Sequence, residues 1–261
     1  MKRVNNRRIY LALLIIPIAG SIFFATQIYN WGLDSSKAKE ELSQAQQQSK
    51  QVVVSEKQDS QEKAPTYPFV KVDFTELIKR NRDVKAWLKI DAIGVDIPIV
   101  QATNNEFYLT HDLDKQQNTS GWVFADCRSN MESFGTNTVI YGHNMANGSM
   151  LGSQKKLLNP EVQNNPDAGI IQFTTPYQQM VFQVCSVYVT DYEDWEYVKT
   201  GFFNNAEKTA FIKRLQEKNE VPAFQRDDLN IMDKFLTLST CYGPAGTPKR
   251  LVVVARQIAI K

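Results

Sequence analysis

Three cysteines and two histidines bound the covalent chemistry open to this chain of 261 residues. Cys241 ends the run Phe235-Leu236-Thr237-Leu238-Ser239-Thr240-Cys241, and the following Tyr242-Gly243-Pro244-Ala245-Gly246-Thr247-Pro248 can hardly continue a strand. The thiol therefore sits where a strand opens into a loop. Period-two alternation puts it on one face with Thr237 and Ser239, away from Leu236 and Leu238, where a structural cysteine would belong. Cys185, inside the apolar run 180–189, is of that structural kind. His143 follows the apolar run 138–141 and Gly142, again at a strand end, whereas His111 lies in the polar stretch 109–114 with no such scaffold behind it. The loop after Cys241 leads into Lys249-Arg250-Leu251-Val252-Val253-Val254-Ala255-Arg256. A hairpin between the two strands sets Arg250 beside Cys241, while Arg256, farther along, would lie about 20 Å away at roughly 3.3 Å per residue.

Thiol, imidazole and guanidinium in one cleft suit acyl transfer through a thioester. A thiolate attacks a carbonyl, the imidazole protonates the leaving amine and later deprotonates the incoming one, and the guanidinium donates to the developing oxyanion or holds the substrate backbone. That scheme needs the Cys241 thiolate together with protonated His143. Singly, each residue has a plain structural explanation: a strand-end histidine is often just hydrogen-bonded, and a strand arginine is usually a solvated charge. Their joint placement points to chemistry. A zinc site from Cys127, Cys241 and the histidines lacks Cys-x-x-Cys or His-x-x-x-His spacing. The formal charge of +2, with both signs interleaved, excludes the concentrated basic face that nucleic acid requires.

The elements that must position these residues are mostly short strands. Residues 84–90, 95–100, 121–125, 137–141, 169–174, 180–188, 234–240 and 251–260 are rich in β-branched or aromatic types with turn signals between them, which predicts a barrel or sandwich. Helices are expected at 74–80, with Asp73 as a cap, and at 206–218, where Phe211, Ile212 and Leu215 share a face. The latter insertion is of the kind that shapes a groove wall.

Ahead of these lies a basic tail, 1–8, then an apolar, uncharged run within 9–31 long enough to cross a hydrocarbon core of roughly 30 Å. The basic residues predict a cytoplasmic N-terminus, an uncleaved transmembrane anchor and a catalytic domain outside the cell. No clear small-x-small site supports the rival reading as a cleaved signal peptide. The polar composition of 32–66 predicts a stalk, helical around 38–49, and the globular domain is expected over 67–261. Outside the cell thiols tend to oxidise, and three cysteines leave at least one without an intrachain partner; a Cys127–Cys185 bridge is left open.

Thr237-Leu238-Ser239-Thr240-Cys241, Tyr141-Gly142-His143-Asn144 and Lys249-Arg250-Leu251-Val252-Val253-Val254 resemble the nucleophile, histidine and arginine segments of sortases, specifically class B. Asn81-Arg82-Asp83, Trp87-Leu88-Lys89-Ile90, Ile97-Pro98-Ile99-Val100-Gln101 and Phe124-Ala125-Asp126 extend the likeness, and the 206–218 helix falls where class B members carry one. The resemblance implies a mainly β protein: an eight-stranded sortase β-barrel with an N-terminal helix and a helix between late strands, preceded by one transmembrane helix. It also implies catalytic His143, Cys241 and Arg250, and a groove lined by Asn105, Leu109, Tyr197, Val198 and Ser239, with no metal or cofactor. The expected substrate is a secreted protein bearing a C-terminal sorting signal, Asn-Pro-rich in this class, cut after threonine. The expected acceptor is a peptidoglycan-precursor amine, with a pilin lysine as the alternative. Two departures stand out: Tyr242 follows the nucleophile where an acidic residue is expected, and Cys127 occupies an expected aromatic position. Papain-like proteases place Cys before His, and L,D-transpeptidases carry a glycine before the cysteine, so both are disfavoured. A non-catalytic, membrane-tethered binding module is the rival of another class.

Overall fold

The structure, a computed structural model, describes residues 7–55, 67–244 and 246–261, with side chains at 16–52, 67–244 and 246–261. The chain enters through one long helix, α1 (Arg7–Ser49). Strands β1 (Val52–Ser55) and β2 (Pro68–Lys71) pair antiparallel beside the main body, and α2 (Thr75–Arg80) follows. The expected Asp73 side chain does accept at the start of α2, from the Thr75 N–H, although Phe74 is the capping residue. The remaining elements are β3 (Val84–Ile90), β4 (Val95–Val100), β5 (Phe124–Ala125), β6 (Asn137–Tyr141), α3 (Pro160–Gln163), β7 (Ile170–Thr174), β8 (Gln179–Asp191), α4 (Asn205–Lys218), β9 (Phe235–Cys241) and β10 (Lys249–Ile260).

Eight of these strands close a barrel in the order β10-β8-β7-β3-β4-β5-β6-β9. Two neighbouring pairs, β4 with β5 and β6 with β9, are parallel; the rest are antiparallel. The strand expected at 121–125 shrinks to two residues. Its first half is bent by Gly121, whose φ of +54° is left-handed and whose absent Cβ leaves room for the Tyr108 carbonyl, 2.5 Å from where that atom would lie.

The wall has two apolar faces. Leu236 and Leu238 of β9, Ile140 of β6, and Leu251 and Val253 of β10 join the larger cluster with Leu88, Ile97 and Phe173. The opposite side of the same strands, with Phe235, Val252 and Val254, joins Cys185 and Tyr188 under the α4 residues Phe211, Ile212 and Leu215. Burial on both faces explains why these segments are nearly continuous apolar runs rather than clean alternations.

Helix α1 includes the helical stretch expected around 38–49 and lies against the barrel there, burying Ala38, Glu41, Ala45 and Ser49. Lys37 pairs with buried Asp112 at 2.8 Å, Gln46 donates to the Asp96 carbonyl, and Asp34 accepts from the Thr119 backbone and hydroxyl. The membrane-crossing helix expected at 9–31 is not supported: among the described residues no helix is long and apolar enough to cross a membrane. Side chains 9–15 of the apolar run lie outside the described set.

Candidate active site

Strand register assembles the site. In the parallel β6–β9 pair Tyr141 sits opposite Ser239, so the two strands leave the sheet at the same end and His143 and Cys241, each two residues farther on, emerge side by side. Across the β9–β10 hairpin Arg250 is the direct partner of Cys241. With Ile140, Leu236, Leu238, Leu251 and Val253 committed to the larger core, alternation sends Tyr141, Ser239, Cys241 and Arg250 to the opposite face, where α4 and its preceding turn lie.

There they line one cleft of about 260 Å³, shared with Asn105, Leu109, Tyr197 and Val198. A larger cavity of about 440 Å³, lined by Ile78, Arg82, Lys85 and Tyr177 among others, holds no thiol or imidazole. Every site residue expected from the sequence thus meets in the smaller cleft. His111 does not: it stacks on Phe107 at 4.1 Å and bonds the Phe107 carbonyl through Nδ1. Arg256 is likewise remote in role, paired with Asp228 at 2.8 Å.

Each group is held. His143 Nε2 lies 2.8 Å from the Leu109 carbonyl, and because a carbonyl only accepts, Nε2 carries the proton. The His143 loop folds back through Leu151 N–H to the His143 carbonyl, and Gly142 makes room for Leu151, whose Cγ would lie 2.8 Å from a Cβ there. The Arg250 guanidinium donates to the Thr247 and Lys249 carbonyls and lies 5.9 Å from the Tyr192 ring centroid, an arrangement that fixes a planar cation at the cleft edge. Cys241 is half-buried, as a nucleophile must be to remain reachable. Burial raises the Tyr197 hydroxyl's pKa, while Ser239 and the nearby Arg250 charge pull the other way.

The opposite wall is a 3-10 turn over Trp195–Val198, capped by Asp194, whose side chain accepts from the Glu196 N–H. Asp194 is itself gripped by Lys218 (2.6 Å) and Arg214 (2.7 Å) from α4, and by the Thr190 hydroxyl (2.7 Å). Burial pushes its carboxyl upward, but these donors outweigh it and hold the group well below the usual range. The expected groove-shaping role of the 206–218 helix therefore has a physical form.

Sequence reasoning missed Tyr141, Tyr192 and Trp195 in the cleft lining. Tyr141 stands two residues before His143 in strand alternation, which was signal enough; the two others sit on a turn whose placement depends on α4. The other cysteines are separate. Cys185 is fully buried, its thiol directed at the Val254 carbonyl and pushed up to about 12 by burial, and Cys127 is exposed, so the bridge left open by the sequence is absent.

A closed eight-stranded barrel bearing cysteine, histidine and arginine on adjacent strand ends is the architecture of a transpeptidase, and residues 88–258 match the sortase domain family. The chain belongs to the sortases, which are cysteine transpeptidases. Within them it is a class B member. It is 30% identical to sortase B of Listeria monocytogenes over 194 residues, covering 74% of this chain and 76% of that one. Sortase B from B. anthracis superposes with a TM-score of 0.71 at 28% identity, covering 87% of this chain and 98% of that one. The Staphylococcus aureus sortase B–substrate complex gives 0.64 at 29% identity, over 71% and 84% of the respective chains.

Proposed function

We propose that this sortase cleaves a C-terminal, Asn-Pro-rich sorting signal of secreted proteins after threonine and joins the threonine acyl group to a peptidoglycan-precursor amine. The observation that carries this reading is the register that sets His143, Cys241 and Arg250 at one strand mouth. The Cys241 thiolate attacks the threonine carbonyl, and Arg250, already oriented by Tyr192 and two carbonyls, donates to the oxyanion. His143 protonates the leaving amine, giving a thioester. The acceptor amine, deprotonated by His143, then attacks that thioester and releases the Cys241 thiolate. Asn105, Leu109, Tyr197, Val198 and Ser239 line the groove in which the signal lies. Anchoring follows the same reading. The basic tail and the exposed Ile18, Ile22, Phe23, Phe24 and Ile28 support an N-terminal helix seated in the membrane with the barrel outside the cell.

The test is mass spectrometry of the full-length protein in detergent with a panel of sorting-signal peptides and either a glycine oligomer or a lysine-bearing pilin peptide. Cleavage after threonine and transfer to glycine, lost in Cys241→Ala, is expected. Transfer to the lysine peptide alone would replace wall anchoring by pilus assembly, and no thioester with any peptide would favour the non-catalytic module.

A further inference from the structure

We propose that Asp126 is a positioning residue that aims Asn105 and Tyr141 into the groove, and that Arg128 carries the same brace across to the opposite wall. Asp126 follows β5 and is fully buried, with its backbone N–H donating to the Val139 carbonyl. Its Oδ2 accepts from the Tyr141 hydroxyl at 2.8 Å and from Asn105 Nδ2 at 3.0 Å. Both partners line the cleft, whereas Asp126 does not. Arg128 clamps the same carboxylate with Nε at 2.8 Å and a terminal nitrogen at 2.7 Å, and that terminal nitrogen also donates to the Val198 carbonyl at 3.1 Å. One charge pair, its carboxylate buried and its guanidinium half exposed, thus joins the Asn105 and Tyr141 wall to the turn that carries Tyr197 and Val198.

The orientation of Asn105 follows from its partners. The Cys127 N–H reaches Asn105 Oδ1 at 2.8 Å and can only donate, so the amide oxygen must face it. The amide nitrogen then faces Asp126 and spends one of its two hydrogens there. Its second hydrogen is left to serve a carbonyl acceptor of the bound peptide, so the groove reads that point as a donor. Burial raises the Asp126 carboxyl's pKa, but the Arg128 and Tyr141 hydrogen bonds prevail and hold it below the ordinary range, so the acceptor is charged across the neutral range. A neutral amide at position 126 would satisfy fewer of these donors and could turn its own N–H toward Asn105, releasing the aim.

This inference rests on the groove assignment proposed above, and the test separates the two. Full-length wild type, Asp126→Asn, Arg128→Gln, Asn105→Ala and the double variant Asp126→Asn/Asn105→Ala are compared in detergent for kcat and KM with the peptide that wild type cleaves. Cys241 alkylation by iodoacetamide and melting temperature are followed alongside. The expected result is a KM raised about fivefold or more in Asp126→Asn, the effect of about one hydrogen bond, with kcat and alkylation rate within about twofold of wild type. Arg128, whose side chain is half exposed, gives a variant that tests the brace with little risk to folding. The double variant should raise KM by less than the product of the two single effects, because part of the Asp126 effect passes through Asn105 and the rest through Tyr141 and Arg128. A KM unchanged in Asp126→Asn, effects that multiply independently in the double variant, or parallel falls in alkylation and melting temperature would each overturn the positioning role. If Asn105→Ala itself leaves KM unmoved, or wild type cleaves no peptide, the groove assignment fails and this inference falls with it.

Discussion

Replacing Asp194 by Asn tests whether α4 holds the groove wall through charge. The amide keeps one acceptor oxygen, enough for the Glu196 N–H, but sets an NH2 where Oδ2 accepts from Thr190 and Lys218 and loses the negative charge that binds Lys218 and Arg214. Hydrogen bonds to charged groups exceed neutral ones by about 1 kcal/mol each. The Arg214 and Lys218 side chains are 36% and 31% exposed, which screens part of that difference, while the two cations left facing each other add to the loss. The net is about 2 kcal/mol, which for a domain of this size is a melting point lower by about 6 °C at pH 7. The pH dependence fixes the cause. Because the folded carboxyl is held below its unfolded value, the folded state binds fewer protons there; its stabilisation is full above the ordinary Asp range and is lost as pH falls below about 4. Thermal melts of wild type and D194N at pH 7 and pH 3, with KM for the sorting-signal peptide at pH 7, provide the readout. The gap in melting point should narrow at pH 3, and KM should rise as Tyr197 and Val198 loosen. A D194N protein that melts with wild type at pH 7, or an equal deficit at both pH values, would refute the reasoning.

Arg250→Lys keeps the charge but not the planar fork, so kcat/KM should fall about 100-fold in the peptide assay with little change in melting temperature; a fall under about threefold would remove Arg250 from the oxyanion role. Glu41, buried between α1 and the barrel, has its carboxyl raised from 4.5 to about 7 by burial and then by the Asp112 carboxylate, with Asp114 adding and Lys37 opposing. The folded state therefore keeps a proton that the unfolded chain releases, stability falls as pH rises from about 4.5 to 7, and Glu41→Gln should flatten that slope in urea titrations at pH 5 and 8. Iodoacetamide on the native protein should label Cys127 and Cys241 and spare Cys185, checked by peptide mapping; labelling of Cys185 without denaturant would contradict its burial.

Strand ends and the hairpin were legible because they are local. Cys241 and Arg250 are joined by one loop, and the shift from apolar run to Gly-Pro loop marks the mouth on its own. The resemblance, not periodicity, supplied the groove residues from distant segments: Asn105, Leu109, Tyr197 and Val198 meet the nucleophile only through barrel closure. At 38–49 composition pointed to the helix but not to its docking on the barrel. A helix rich in Gln, Lys and Glu offers only the short apolar stripe Ala38, Leu42 and Ala45, and much of its docking uses Lys37, Glu41 and Gln46 against buried Asp112 and the Asp96 carbonyl. Polar docking of this kind is specified by its partners, which lie beyond the reach of any local window. Tyr192 and Trp195 were missed for the same reason, and Asp126 because its value lies in the side chains it joins.

The parallel seam between β6 and β9 also sets an order in time. Its register joins Asn137 to Phe235, positions about 100 residues apart, and such a seam forms late because a long loop must close before the pairing rewards it. Until then the thiol has its arginine from the adjacent hairpin but no imidazole. A folding chain whose β9–β10 hairpin has formed but whose β6–β9 seam has not is thus chemically silent, and it becomes competent in the step that closes that seam. In refolding experiments acylation of Cys241 by the sorting peptide should lag behind the appearance of secondary structure and keep pace with barrel closure.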